Sequence, residues 1–252
     1  MVVIHMVAEE LRRLLSRRRF WILAAGLAAI LIYAISLNTA RANPSSAPAT
    51  FIDSLKGNLP LELPFLTGLA VGDSFAIDRS TSWANFTLTR GLTRRRYIIA
   101  KGVGMAIAVC LLLIMSLAVA AVAAAHMKGL APAIRTEEFG YINPVDHASY
   151  LAHPWWFAAR FAGVNLLAAT AYSTTALLLA VWIPIPFVVS IVSPLIVFVA
   201  MVTIPSSVQQ WNPGWVLALE KGTMSGRFAY FLIWLLVTGT VAVIAYGKQE
   251  DP

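Results

Sequence analysis

The sequence is short of what a soluble surface needs. Of its 252 residues only 12% are charged, against about 25% in soluble domains. Acidic residues are the scarcest, 12 against 19 Lys and Arg. With 59% hydrophobic residues and a mean hydropathy of +0.73, too few polar side chains remain to cover a globule of this size. A soluble enzyme and a disordered tail are excluded. The one cysteine, Cys110, excludes an intrachain disulfide and with it a disulfide-stapled secreted scaffold. There is no Gly-x-x-x-x-Gly-Lys-Ser/Thr phosphate loop, since Lys101-Gly-Val-Gly has the wrong order. The net charge of +7 is read as membrane topology and not as nucleic-acid binding, because Lys and Arg gather on the cytoplasmic side.

What is present is a series of apolar runs. A helix needs about 20 apolar residues to cross a bilayer. Clear runs cover 20–37, 101–125, 155–183, 186–204 and 228–246. A sixth segment, 59–77, is apolar on average but holds Pro60, Glu62, Pro64 and Asp73, and hydropathy alone leaves it open. Charge decides it. Arg12, Arg13, Arg17, Arg18 and Arg19 precede the first run, and Arg79, Arg90, Arg94, Arg95, Arg96 and Lys101 follow the doubtful one. These clusters hold 11 of the 19 basic residues, and both belong on the cytoplasmic side. The chain must therefore return through 59–77. The expected fold is an all-α polytopic membrane protein with six transmembrane helices and both termini cytoplasmic. The segments at about 38–58, 126–154 and 205–227 then face outward as loops.

The N-terminus has competing readings. Ser16-Arg17-Arg18-Arg19-Phe20 is similar to a twin-arginine export signal, with Ala40-Arg41-Ala42 as a cleavage site. The apolar run exceeds the usual 7–15 residues of such a signal and five more follow it, so 20–37 is read as a retained span. Before it, Ile4, Val7, Leu11, Leu14 and Leu15 recur at three- and four-residue steps, with Glu9, Glu10, Arg12 and Arg13 on the other face. This pattern predicts an interfacial amphipathic helix within 1–19 whose arginines (Arg12, Arg13, Arg17, Arg18 and Arg19) meet lipid head groups.

Residues 71–101 are the most informative. Ile77, Trp83, Phe86 and Leu88 are too apolar for a solvated loop, and Gly91 breaks the chain after Arg90. A short helix over about 78–89, a turn and a basic lead into span three are expected. The residues leave two readings: a helix whose aromatics pack on a partner, or a basic loop on lipid heads.

Asp78-Arg79, Thr81-Ser82, Leu88-Thr89-Arg90, Gly91-Leu92-Thr93-Arg94 and Ala100-Lys101 lie in the order and spacing of a pattern found between spans two and three of another group of proteins. The chain thereby resembles the permease subunits of ABC transporters of the ABC-2 type, with Gly91 in place of the usual proline and Thr81-Ser82 in place of Gly-Thr. The resemblance covers about 30 residues, and the six-span plan extends it. It implies a cytoplasmic coupling helix seated in a separate ATPase subunit, present in two copies, with Asp78, Arg79, Trp83, Phe86, Leu88, Arg90 and Arg94 as coupling residues. It also implies a second permease copy or a related permease, ATP and Mg held by the partner and not by this chain, and a plasma (inner) membrane location. The expected function is export of a hydrophobic or amphipathic substrate, a drug, peptide or lipid, by alternating access. An ion-coupled carrier and a non-transporting scaffold or assembly factor are the alternatives.

Other features carry weaker expectations. Asp73 is expected to pair with Arg79 or a nearby arginine, and Glu62 and Arg160 to reach the outer interface. His126, His147 and His153 with Asp146 match no metal-ligand spacing, and no metal is expected. Asn165, Thr170, Tyr172, Ser173, Thr174 and Thr175 in span four are read as packing residues. Asn85-Phe86-Thr87 matches a glycosylation sequon but falls on the cytoplasmic side. The segment 206–226 is similar to the short re-entrant helices of the ABC-2 family, with a break at Pro213-Gly214.

Overall fold

The computed structural model describes residues 2–40, 46–88, 92–128, 144–204, 211–217 and 223–249. These are helical but for short connections, with no strand among them. The α-helices are α1 (Val2–Leu15), α2 (Arg18–Ala40), α3 (Ala47–Thr67), α4 (Ser74–Ser80), α5 (Trp83–Leu88), α6 (Arg94–Lys128), α7 (Pro144–Ala152), α8 (Pro154–Trp182), α9 (Pro186–Thr203), α10 (Pro213–Leu217) and α11 (Met224–Gly247). Five of them, α2, α6, α8, α9 and α11, are long and apolar enough to cross a bilayer. Their outward residues are themselves apolar: Ile22 is 69% exposed, Val122 69% and Phe187 74%. A folded soluble chain does not turn a continuous surface of this kind to water. The chain is a multi-pass helical membrane protein. The boundaries match the apolar runs to within a turn or two, and α6 starts earliest relative to expectation, with Arg94, Arg95 and Arg96 as its first residues.

The doubtful second segment is helical over a much longer stretch than the sequence suggests. Residues 47–58, expected in an outer loop, form the first half of α3. Phe51, Ile52, Leu55 and Leu59 are buried along one side of it, and Asp53 on another accepts a 2.8 Å hydrogen bond from the Asn38 amide. Polar residues on one face made this helix look like loop to an averaged hydropathy. A π-helical segment, Gly68–Gly72, joins α3 to α4. A Cβ on Gly68 would lie 2.8 Å from both Pro194 Cδ and the Ser190 carbonyl oxygen, so glycine there lets α9 approach the backbone.

Packing along this run fixes its direction. Ser46 and Tyr150 hydroxyls lie 3.3 Å apart at one end, the Phe51 and Trp155 rings are 6.3 Å apart, and Arg79 Nη1 donates to the Ala180 carbonyl at 2.9 Å at the other end. The α3–α4 run thus lies parallel to α8 along its length. Helix α11 also lies parallel to α8. The Phe228 ring sits against Gly163, the Thr174 and Thr238 hydroxyls are 2.7 Å apart midway, and just past α11 Gln249 Nε2 donates to the Val181 carbonyl at 2.8 Å. Trp234 Nε1 donates to Thr175 Oγ1 at 3.0 Å. Of the α8 side chains read as packing residues, Thr174 and Thr175 reach α11, and Thr170 and Ser173 bond to carbonyls of their own helix. Tyr172, whose buried hydroxyl has no partner among the described residues, packs its ring on Phe231 and Trp234.

Two further expectations change. The segment 126–154 is not all loop: α6 continues to Lys128, and residues 144–152 form α7. Pro213-Gly214 does not break α10 but opens it. Asn212 Oδ1 accepts from the Gly214 N–H at 2.9 Å, and Pro213 takes the first helical position, where its missing N–H is no loss.

Candidate functional site

Charged side chains in a membrane protein are costly unless paired, so the cluster where α1, α4 and α6 meet is the most informative place in the molecule. It is assembled from four segments. Helix α1 supplies Glu10 and Arg13, one turn apart. The start of α2 supplies Arg19, with Arg17 just before it. Helix α4 supplies Ser74 and Asp78, preceded by Asp73. The first two turns of α6 supply Tyr97 and Lys101.

Lys101 is the hub. Its Nζ lies 2.5 Å from Glu10 Oε2 and 2.5 Å from Asp78 Oδ2 and 3.2 Å from Ser74 Oγ. Arg13 donates to Asp78, to Ser74 Oγ at 2.7 Å, and pairs with Glu10 at 3.0 Å. The Tyr97 hydroxyl donates to Asp78, and the Ser74 hydroxyl donates to Glu10. Glu10, Asp78 and Lys101 are all less than a tenth exposed. Two carboxylates therefore face two cations, and the cluster is neutral as a unit. Burial pulls the Arg13 guanidinium down, but Glu10 and Asp78 more than offset it and hold it above its ordinary value. A second group adjoins the first: Asp73 takes Arg17 at 2.9 Å and Arg19. An aromatic group packs against the cluster, with Phe75 edge-on to Tyr246 at 5.0 Å and Tyr97 6.1 Å from Phe75. Arg94 stands 5.8 Å over the Tyr246 ring.

Glycine makes the α1–α6 contact possible. A Cβ on Gly104 would lie 2.7 Å from Glu10 Cγ and 2.9 Å from its Cβ. These atoms cannot swing away, because the carboxylate is held by Lys101. Gly104→Ala should lower stability by about 1–3 kcal/mol through overpacking, read as a lower thermal midpoint in detergent; an unchanged midpoint would mean that α1 does not sit this close.

Several residues stand elsewhere than the sequence reading had them. Arg13, Arg17 and Arg19, expected on lipid heads, hold their guanidinium groups on Asp78 and Asp73; Arg12 and Arg18 are exposed. Glu10, expected on the polar face of α1, is buried, while Ile4 from the expected apolar stripe is 74% exposed. Helix α1 is thus rotated so that its carboxylate meets Lys101, because an unpaired lysine there would cost more than an exposed isoleucine. Asp73 is paired with arginines as expected, but not with Arg79. That residue donates to carbonyls at the C-terminus of α8, Ala180 and Val181, where the helix dipole favours a cation. Asp78, expected on a coupling surface, is fully buried.

The expected single helix over 78–89 is two. Asp78, Arg79 and Ser80 end α4. Ser82 then takes φ 59°, the left-handed region that a serine rarely adopts, and α5 starts at Trp83. In α5, Ala84 is buried and Leu88 packs against the core, one turn apart, while Trp83 is 52% exposed. Arg90 and the Phe86 side chain lie outside the described residues. Among the described residues no three His, Cys, Asp or Glu side chains come together as metal ligands. Arg160 Nη1 lies 3.5 Å from Ser149 Oγ, and Arg227, buried at the start of α11, interacts electrostatically with Asp146.

Sequence reasoning missed Glu10, Ser74 and Tyr97 as one unit with Lys101. A signal for it was present. A lysine at the head of an apolar run followed by Gly-Val-Gly marks a place where another backbone comes close, and Glu10 is one of the few acids within reach. Compared with protein-family models and with curated proteins, the chain matches none.

Proposed function

We propose that the chain is the membrane permease subunit of an ATP-driven transporter of the ABC-2 type, exporting a hydrophobic or amphipathic substrate by alternating access. The observation that carries it is α5: a short helix, set off from α4 by the break at Ser82 and held on the bundle by Ala84 and Leu88, presenting Trp83 outward. It lies where the resemblance expects a coupling helix. In this reading α1, α4 and α6 move together, because the Glu10–Lys101–Asp78–Arg13 cluster joins them behind α5. Motion imposed on α5 by an ATPase would reach the spans as a rigid-body shift. The chain lacks a phosphate loop, so the hydrolysing subunits, the ATP and the Mg belong to a partner, with a second permease copy or a related permease completing the pathway. The test is copurification in mild detergent: an ATPase should accompany the chain, and its consistent absence would overturn this reading.

In the same reading the α3–α4 run is a sixth span and both termini are cytoplasmic, in a plasma (inner) membrane. Its parallel packing beside α8 from end to end supports this, as does the gathering of arginines at one end of the bundle. In a Cys110→Ala background, a cysteine at Ala148 should react with an impermeant thiol reagent in intact cells, and one at Ser80 should not. Both positions are exposed on the chain. Reaction at Ser80 would sink the six-span topology.

A further inference from the structure

Beside the ion cluster a groove of about 780 Å³ opens between α1, α5 and the first turns of α6. That volume is in the range of small-molecule sites. Its walls are apolar: Ile4, Met6 and Ala8 come from α1, and Trp83 and Leu92 face them. Its ionisable lining is Glu9, Glu10, Asp78, Arg13 and Lys101, with His5. Four of these, Glu10, Asp78, Arg13 and Lys101, neutralise one another two against two. Glu9 remains. It is exposed at the groove and forms no ion pair among the described residues, so its carboxylate is left uncompensated by the paired groups. Arg12 of α1, Arg18 of α2 and Arg95 and Arg96 of α6 are exposed and do not line the groove. A single uncompensated carboxylate in an apolar groove selects a guest by the sign of its charge.

We infer that this groove is a binding site for a lipophilic organic cation. The apolar body would lie between Ile4 and Leu92, the positive centre would sit near Glu9, and the Trp83 ring would offer its electron-rich face to the same charge. A neutral apolar guest or a lipid tail would use the walls without the carboxylate, and an anion would be repelled by Glu9. The site belongs to this chain by itself, so it stands or falls independently of whether an ATPase copurifies.

The test uses two ions of nearly the same shape and opposite charge, tetraphenylphosphonium and tetraphenylborate. Equilibrium binding is measured on the purified full chain in detergent, with the signal of empty micelles subtracted. Saturable binding of the phosphonium ion at one site per chain is expected, with the borate ion at least about tenfold weaker. Glu9→Gln and Trp83→Ala should each weaken phosphonium binding by about fivefold or more. Both side chains are exposed, and neither belongs to the ion cluster. Ala8→Trp, which fills the groove from α1, should abolish binding, and an unchanged elution profile checks each fold. Equal binding of the two ions, no saturable phosphonium binding, or full retention by either single variant overturns the proposal.

Discussion

Lys101→Met should be the most damaging single substitution in the molecule. It leaves the volume nearly unchanged but strands Glu10 and Asp78, two buried carboxylates, with Arg13 as their one remaining cation in the cluster. Removing one partner from a buried ion pair costs about 3–5 kcal/mol. That is a fifth or more of the about 5–15 kcal/mol that holds a typical domain together. The expected result is a large fall in thermal midpoint in detergent and release of α1. The charge count makes a sharper statement. Glu10→Met with Lys101→Met removes one charge of each sign, leaves Arg13 on Asp78, and should recover most of the loss. A double variant no better than Lys101→Met would show that the geometry of the pair, and not the charge balance, holds α1 in place. A single variant within about 1 kcal/mol of wild type would mean that water reaches the cluster and screens it.

The second large effect tests the proposed coupling role of α5. Changing Trp83 and Phe86 together to Ala should weaken ATPase binding by at least about 2–4 kcal/mol, as expected for aromatic anchors at the centre of an interface. The bundle should remain intact, because α5 is fastened by Ala84 and Leu88 while Trp83 is half exposed. On the proposed permease reading, transport should be lost with the chain still inserted, and the ATPase should no longer copurify. A double variant that keeps both would remove α5 from the coupling role. Glu9→Gln supplies the contrast: it alters the groove, and the ATPase should still copurify with it.

Much of the fold was legible because crossing a bilayer is a local requirement. Run length and composition placed α2, α6, α8, α9 and α11, and three- and four-residue steps placed α1 as a helix. The first half of α3 was not legible. Asp53, Lys56 and Asn58 lower its average hydropathy, and only the packing of Phe51 and Leu55 against the bundle shows that the segment is a helix with Asp53 and Lys56 on one face. The helix expected over 78–89 divides at Ser82, where nothing local in the sequence marks the positive φ. Proline at 213 was read as a break because proline ends helices and also begins them, and what decides is the residue before it. Asn212 caps the helix, so proline begins it.

The site divides in the same way. The sequence by itself determined that the chain lies in a membrane, that 11 of its 19 basic residues fall in two clusters along the chain, and that it carries no phosphate loop. These follow from composition and order, which no folding can change. Only the tertiary structure decided which way α1 faces and which charge meets which. Glu10 and Lys101 are 91 positions apart, and Arg13 and Asp78 are 65 apart, so no periodicity links them. The low dielectric at the helix junction does, because there an ionised group without a partner is too costly to bury. That requirement turned Glu10 inward, brought Arg13 off the lipid heads and onto Asp78, and left Ile4 and Glu9 at the edge of the groove.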